Sequence, residues 1–406
     1  MSAQEREMIQ VEEAWRRIEA KAVPLPPRQA ALLEALGCIL AQDIFAAEDV
    51  PAVPSSTMDG FAVLAADGST RRRVVAEQRA GLALGLRLEP ETAVRIMTGA
   101  PLPEGADAVV PVEEVRGEGD FIVVEGPVRQ GQYVRARGSD IAAGQLLLRA
   151  GTELGPAELG LLAAVGLTHV PVHPWPRVAL ITTGDEVVPV ECAPAPGQVR
   201  NSNAVALQAA LLQLGLQPTM LRHVPDDLEQ TEEALLAAAS VADVILTSGG
   251  VSMGERDRVR DALNRLGQVH FSRVAVRPGK PLTFASIGAT LVFAVPGNPV
   301  SSLVSFELFV RPALRRMAGH RRLFRPQVMA RLEHPIRHEP DRTEFQRAIV
   351  QKREDGYWAR TTGPQSSSRL LSLVGANALL RLPAGVADFP QGAAVSALLV
   401  DQPEVP

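Results

Sequence analysis

Three short segments carry the residue types best suited to chemistry: Thr182-Thr183-Gly184-Asp185-Glu186, Thr247-Ser248-Gly249-Gly250-Val251-Ser252-Met253-Gly254, and Pro296-Gly297-Asn298-Pro299. Each follows an apolar run, RVALI, VADVIL and TLVFAV respectively. Gly249, Gly250 and Gly254 let backbone N–H groups approach an anion, and a helix start just downstream adds a favourable dipole. One glycine after a strand is plain turn chemistry, whereas three such loops on the strand ends of one sheet form a candidate anion-binding rim. Carboxylates surround them: Glu186 closes the first loop, Asp226 follows Pro225, and Asp257 follows the second loop. Together these three can hold Mg2+, which takes a few carboxylates with phosphate oxygens and water. Asp226, with Glu229 at capping-box spacing, also suits a helix N-cap, and Asp257 precedes a helix where negative charge is favoured. Glu186 has no capping role. In SRVAVRPGKP, Arg273, Ala275 and Arg277 alternate onto one strand face, and the Pro278-Gly279 turn presents Lys280. Three cations at one strand end suit a phosphate or oxyanion, the alternative being a charged solvated edge.

The elements that must position these groups follow from periodicity. From Arg177 to about Gly319, strand-like and helix-like runs alternate, which predicts a mostly parallel sheet with helices on both faces and ligands at the strand carboxyl ends. Asn203 is placed to cap a helix running from Ala204 to Gly215. Upstream, Val11, Ala14, Trp15, Ile18 and Ala22 form one apolar helix face, and a second helix is expected over Ala30–Leu40. Between Pro51 and Gly144, short Val/Ile-rich runs separated by Gly, Pro and Asp predict a small β domain. Gly155-Pro156 opens another helix that Gly166 ends, and Pro171–Pro176 reads as a linker. The last 80 or so residues return to short strands with turns, as in a small barrel or sandwich. The expected division is a helical linking domain (1–50 and 145–176), a β-rich insertion (51–144), an α/β domain (177–320) and a C-terminal β-barrel domain (325–406).

Composition narrows the function classes. A chain of 406 residues exceeds what one core usually supports. The net charge of −5 and the lack of a basic block give no reason to expect nucleic-acid binding. Cys38 and Cys192 are far apart and outside any CxxC spacing, which argues against a disulfide framework or zinc site. The charged start MSAQEREMIQVEEAW lacks an apolar signal core, and no stretch reaches membrane-spanning length, so a cytoplasmic location is expected.

MDGFA, TGAPLP with GADAVV, RxRGSDI, TTGDE, TSGGVSMGERD, RPGKP and PGNPVSS occur here in an order that resembles the MoeA family, the molybdopterin molybdenumtransferases, whose relatives include the E domains of gephyrin and its plant counterpart. The resemblance extends through QSSSRLLSLVGANALLRLP and so covers essentially the whole chain. It implies a four-domain subunit with a MogA-like α/β domain, and a homodimer whose active site is shared between subunits. It also implies insertion of molybdate into adenylylated molybdopterin, giving molybdenum cofactor and AMP with a divalent cation such as Mg2+. By the same resemblance, Asp59, Thr98, Asp140, Glu186, Asp226 and Asp257 match functional positions, and Ser367 matches a C-terminal polar one. The adenylyltransferase that makes the nucleotide-linked pterin is an expected partner. Arg273 and Arg277 stand where close relatives often have lysine; arginine keeps the charge but binds as a fork rather than as a point. Thr57 replaces an alanine common before MDG, and Asn201 an aspartate common before Ser-Asn. Three rival readings are an adenylyltransferase, which would lack the flanking segments, a receptor-anchoring scaffold, and a tungstate-specific enzyme.

Overall fold

Glycine-punctuated β runs and strand–helix alternation sort the chain into two units, residues 29–172 in one and residues 1–28 with 173–406 in the other. The computed structural model describes residues 8–81, 85–250 and 257–405. In the first unit the short Val/Ile runs become a six-stranded mixed sheet, in the spatial order 108–111, 60–63, 92–96, 71–78, 121–124, 115–118. Its two faces bury separate small cores, one around Val94 and Ile96, the other around Ala93, Val110 and Ile122. Adjacent residues facing opposite ways is the period-two signature of a strand.

The helix expected over Ala30–Leu40 does not form. Arg28–Ala31 and Ile39–Leu40 are strands that flank His169–His173, with only a 3-10 turn at Leu33–Ala35. Gly37 interrupts the segment at φ +72°, and Leu33 and Leu36 point outwards. Long-range pairing with residues 169–173 overrides local helix propensity here. The expected helix after Gly155 does form, over Pro156–Ala164, with the Glu158 carboxylate accepting from the Gly155 N–H at 2.9 Å.

In the second unit, the α/β segment begins with β1 (Val178–Thr183), α1 (Ser202–Leu212), β2 (Met220–Val224), α2 (Leu228–Val241) and β3 (Val244–Ser248). It continues with α3 (Arg258–Leu266), β4 (Gln268–Phe271), β5 (Thr283–Ile287), β6 (Thr290–Val295) and α4 (Pro299–Ser305). The sheet order is β2-β1-β3-β6-β5-β4, with the first four strands parallel and the last two antiparallel. Every residue of β1, β3 and β6 is buried, as expected when helices cover both faces. Leu180, Leu246 and Phe293 pack towards α1, α4 and the Val11–Lys21 helix, while Ile181, Ile245 and Val292 pack towards α2 and α3. Register then fixes the site, because Thr182 lies opposite Ser248 and Ser248 opposite Val295, so three strands end at one level.

The C-terminal strands close a five-stranded barrel. Thr343–Arg353 pairs with both Gly356–Thr361 and Ala378–Leu382, and the circuit is completed through Gln327–Leu332 and Ala394–Leu399. Closure leaves the barrel without a free edge and encloses Leu332, Val350 and Leu380.

Candidate functional site

Because β1, β3 and β6 end in register, their loops emerge side by side around a cavity of about 960 Å³. All three loops line it: Thr183, Gly184 and Glu186 from the first, Ser248, Gly249 and Gly250 from the second, and Pro296 to Pro299 from the third. Val251, Ser252 and Gly254 lie outside the described residues.

The glycines work chiefly by allowing close approach. A Cβ on Gly249 would stand 2.5 Å from the Thr183 carbonyl oxygen, and one on Gly250 would stand 2.7 Å from Val259 Cγ2, with φ at +99° and +65°. The Gly184 and Gly249 N–H groups donate to Val224 and Val295 carbonyls at 3.3 and 3.4 Å, so they tuck the loops against neighbouring strands. Polar groups complete the cavity. Ser248 Oγ lies 3.0 Å from Ser302 Oγ, at the head of α4. The first turn of α1 also faces the cavity through Asn201, Ser202 and Asn203.

Two capping expectations shift along the chain. Asn201, not Asn203, caps α1, its Oδ1 accepting from the Ala204 N–H at 3.0 Å. Asn203 instead donates its amide to Ser248 Oγ at 2.8 Å and to the Gly297 carbonyl at 2.7 Å. Likewise Asp227, not Asp226, caps α2, accepting from the Gln230 N–H at 2.8 Å. The Asp226 N–H is taken by Asp185 Oδ1 at 3.0 Å, which holds residue 226 outside the helix. Asp226 is therefore left to line the cavity together with Glu186. Neither carboxylate has a hydrogen-bond or ion-pair partner among the described residues.

Asp257 behaves differently. It is 3% exposed and caps α3 by accepting from the Arg260 N–H at 2.9 Å, and burial pushes its carboxyl up to about 6 against that bond. It does not line the cavity, and among the described residues no three His, Cys, Asp or Glu groups cluster closely enough to hold a metal. Glu186 and Asp226 nonetheless suit Mg2+, which needs only one or two carboxylates when ligand phosphates and water supply the remaining oxygens.

The expected cation trio divides. Arg277 is engaged by Glu339, with Asp341 at 3.4 Å, and the Glu339 hydrogen bond raises its pKa. Arg273 and Lys280 are half-buried and have no ion pair among the described residues. A Val274 N–H to Lys280 carbonyl bond of 3.0 Å draws the two ends of their loop together, and Pro281, next to Lys280, lines the cavity. Among the described residues, the cation that lines the cavity is Arg200, which sequence reasoning missed. Its Nε donates to the Val190 carbonyl at 3.0 Å. Its one available signal was a basic residue just before the polar Asn-Ser-Asn start of a helix.

The barrel contributes a serine loop. Ser368 lines the cavity, while Ser367 accepts from Asn298 Nδ2 at 3.2 Å and takes the Val300 N–H on its carbonyl, also at 3.2 Å. Behind them Arg347, fully buried, donates to Ser372 Oγ at 3.1 Å and to the Ser366 carbonyl at 3.2 Å. Nothing in the local sequence EFQRAIV marks that arginine, because its partners are 19 and 25 residues away.

In the unit of residues 29–172, Asp59 accepts from the Thr98 N–H at 2.7 Å and from its hydroxyl at 2.8 Å, and the first of these does most to lower the Asp59 pKa. Asp140 forms a separate pair with Arg135.

Fold and site define a multidomain α/β protein whose ligand cavity lies at the carboxyl ends of parallel strands. Models of the MoeA N-terminal region (domain I and II), a probable molybdopterin binding domain, and the MoeA C-terminal region (domain IV) match residues 9–166, 179–316 and 329–400. The chain belongs to the MoeA family. It is 37% identical to molybdopterin molybdenumtransferase 2 of Mycobacterium tuberculosis, over 95% of this chain and 98% of that one. It is 35% identical to gephyrin of Dictyostelium discoideum over 91% of this chain, but spans only 59% of that protein's length. The solved molybdopterin biosynthesis MoeA protein of Pyrococcus horikoshii superposes with a TM-score of 0.82 at 31% identity, covering 98% of this chain and 100% of that one.

Proposed function

We propose that the chain is a molybdopterin molybdenumtransferase of molybdenum cofactor biosynthesis, inserting molybdate into adenylylated molybdopterin to give molybdenum cofactor and AMP. The observation that carries this reading is the cavity, lined by two carboxylates without partners among the described residues, Glu186 and Asp226, together with serine, asparagine and glycine groups within the segment matched as a probable molybdopterin binding domain. The start of α1 and Arg200 supply the positive potential that a phosphate-bearing ligand needs. Ser248 and Asn298 offer side-chain hydrogen bonds from the second and third loops. Arg273 and Lys280, free of ion pairs among the described residues, suit the molybdate oxyanion beside Pro281. Glu186 and Asp226 would hold Mg2+, with Asp257 shaping the second loop from the head of α3. When bound, Mg2+ neutralises phosphate charge and polarises a phosphoryl oxygen.

Several further features belong to this proposal on the strength of family membership: the division at 1–50 with 145–176, 51–144, 177–320 and 325–406; roles for Asp59, Thr98 and Asp140; a cytoplasmic homodimer with a shared active site; and the adenylyltransferase as partner. No helix among the described residues is long and apolar enough to cross a membrane.

The test is AMP release from adenylylated molybdopterin with molybdate, with and without Mg2+. Release should require the metal and fall by at least about 100-fold in Glu186→Gln, since removing a metal ligand costs several kcal/mol of transition-state stabilisation. Ligand that binds yet never releases AMP under any metal would favour a scaffold.

A further inference from the structure

We infer that Asn203 is a positioning residue that sets the gap between the second and third loops, and so governs the grip of the site on a phosphate-bearing ligand. The identity of that ligand rests on the function proposed above, whereas the positioning role rests on geometry. Asn201 performs the capping of α1, so the side chain of Asn203 is spare for another use. That use is a bridge between loops, with one amide nitrogen lying 2.8 Å from Ser248 Oγ and 2.7 Å from the Gly297 carbonyl. A backbone carbonyl can only accept, so the group facing Gly297 must be the amide nitrogen and the orientation of the side chain is forced. The two partners stand on different strand ends, with no chain connection shorter than the whole α3–β6 segment between them.

The bridge is anchored on both sides. Helix α1 is rooted in the core by Leu207 and Leu211, so Asn203 projects from a rigid base. Beyond the bridge, Ser248 meets Ser302 at 3.0 Å, and Ser302 donates to the Pro296 carbonyl at 2.5 Å. The loops run close together, since a Cβ added to Gly297 would meet Gly249 Cα at 3.5 Å. Asn203 thus bonds both loops in a region where glycine leaves the backbone free to spread.

The test measures AMP binding with Mg2+ by titration calorimetry between pH 4 and 8, a range that reaches the ordinary aspartate pKa of about 3.9, each variant being expressed as a ratio to wild type at the same pH. That ratio removes the titration of the AMP phosphate itself. Asn203→Ala should weaken binding by about tenfold at every pH, the scale of one or two lost hydrogen bonds. Asn203→Asp should be worse than alanine at pH 8, because a carboxylate oxygen then opposes the Gly297 carbonyl. As pH falls its protonated form donates again, and the ratio should climb towards one. This recovery compares one protein with itself, so it does not depend on how well the alanine variant folds. A merely structural role would lower the unfolding temperature of both variants without a pH-dependent ratio. An alanine variant within twofold of wild type, or an aspartate variant flat with pH, would overturn the inference. The expected ratios in a protein that releases no AMP from adenylylated molybdopterin would overturn the functional reading alone.

Discussion

Asp257 shows burial outweighing a neighbouring charge, since Arg260 Nε lies 3.5 Å from its carboxylate and yet its pKa is raised. Its ordinary value of 3.8 is pushed up to about 6 because it is desolvated, and the Arg260 N–H offsets this only in part. Between pH 4 and 6 the native state keeps a proton that the unfolded chain has released. The stabilisation from that proton is therefore complete below about pH 4 and is lost as pH rises through about 6. Asp257→Asn keeps a capping oxygen and carries no charge to bury. It should raise unfolding free energy at pH 8 by on the order of 2 kcal/mol and change it little at pH 4. Urea denaturation at the two pH values checks this, and equal effects at both would rule out burial as the cause. The residue types at this site were legible in sequence, because serine, glycine and acidic residues just after apolar runs are a local signal. Which carboxylate is buried was not, since burial depends on how α3 packs against β5.

At the scale of elements, a one-residue displacement decides which of two neighbouring aspartates is structural. Asp227 caps α2, while Asp226, held by the Asp185 side chain, faces the cavity. Asp227→Ala should cost about 1 kcal/mol of stability, the usual worth of an N-cap, with Mg2+-dependent AMP release retained. Asp226→Asn should do the reverse, lowering release while the thermal midpoint stays put. Parallel thermal melts and turnover assays separate the two, and exchanged outcomes would mean that the capping assignment is wrong. Capping-box spacing placed the start of the helix within one residue, but choosing between adjacent aspartates needed the backbone of residue 227, which is extended at φ −112°. At α1 the cap lies two residues earlier than Asn203, which frees the Asn203 side chain from capping. Over Ala30–Leu40 the misreading was larger, because a helix-like run was drawn into pairing with a strand some 130 residues away.

Across the whole molecule, Arg347 ties the barrel to the cavity. Its guanidinium, pushed down to about 10 by burial, holds the loop that carries Ser367 and Ser368, and that loop in turn meets Asn298 and Val300. Arg347→Lys replaces donors on two separate atoms, Nε and Nη2, by one ammonium point, which does not reproduce their fixed spacing. It should lose about 2–4 kcal/mol of stability and raise the KM for adenylylated molybdopterin. Denaturant melts with steady-state kinetics test the link, and a stability loss with unchanged KM would confine Arg347 to the barrel.

By itself the sequence determined the alternation of strands and helices in the α/β segment, its three buried strands β1, β3 and β6 with the loops that follow them, and the family, because each is written in contiguous residues or in motifs kept in order. Tertiary structure alone decided that Thr182, Ser248 and Val295 end level, that Arg200 and Asn203 face the cavity, and that Arg277 is engaged by Glu339. Those outcomes depend on strand register and on contacts between residues tens of positions apart. Local propensity and periodicity carry no information about either.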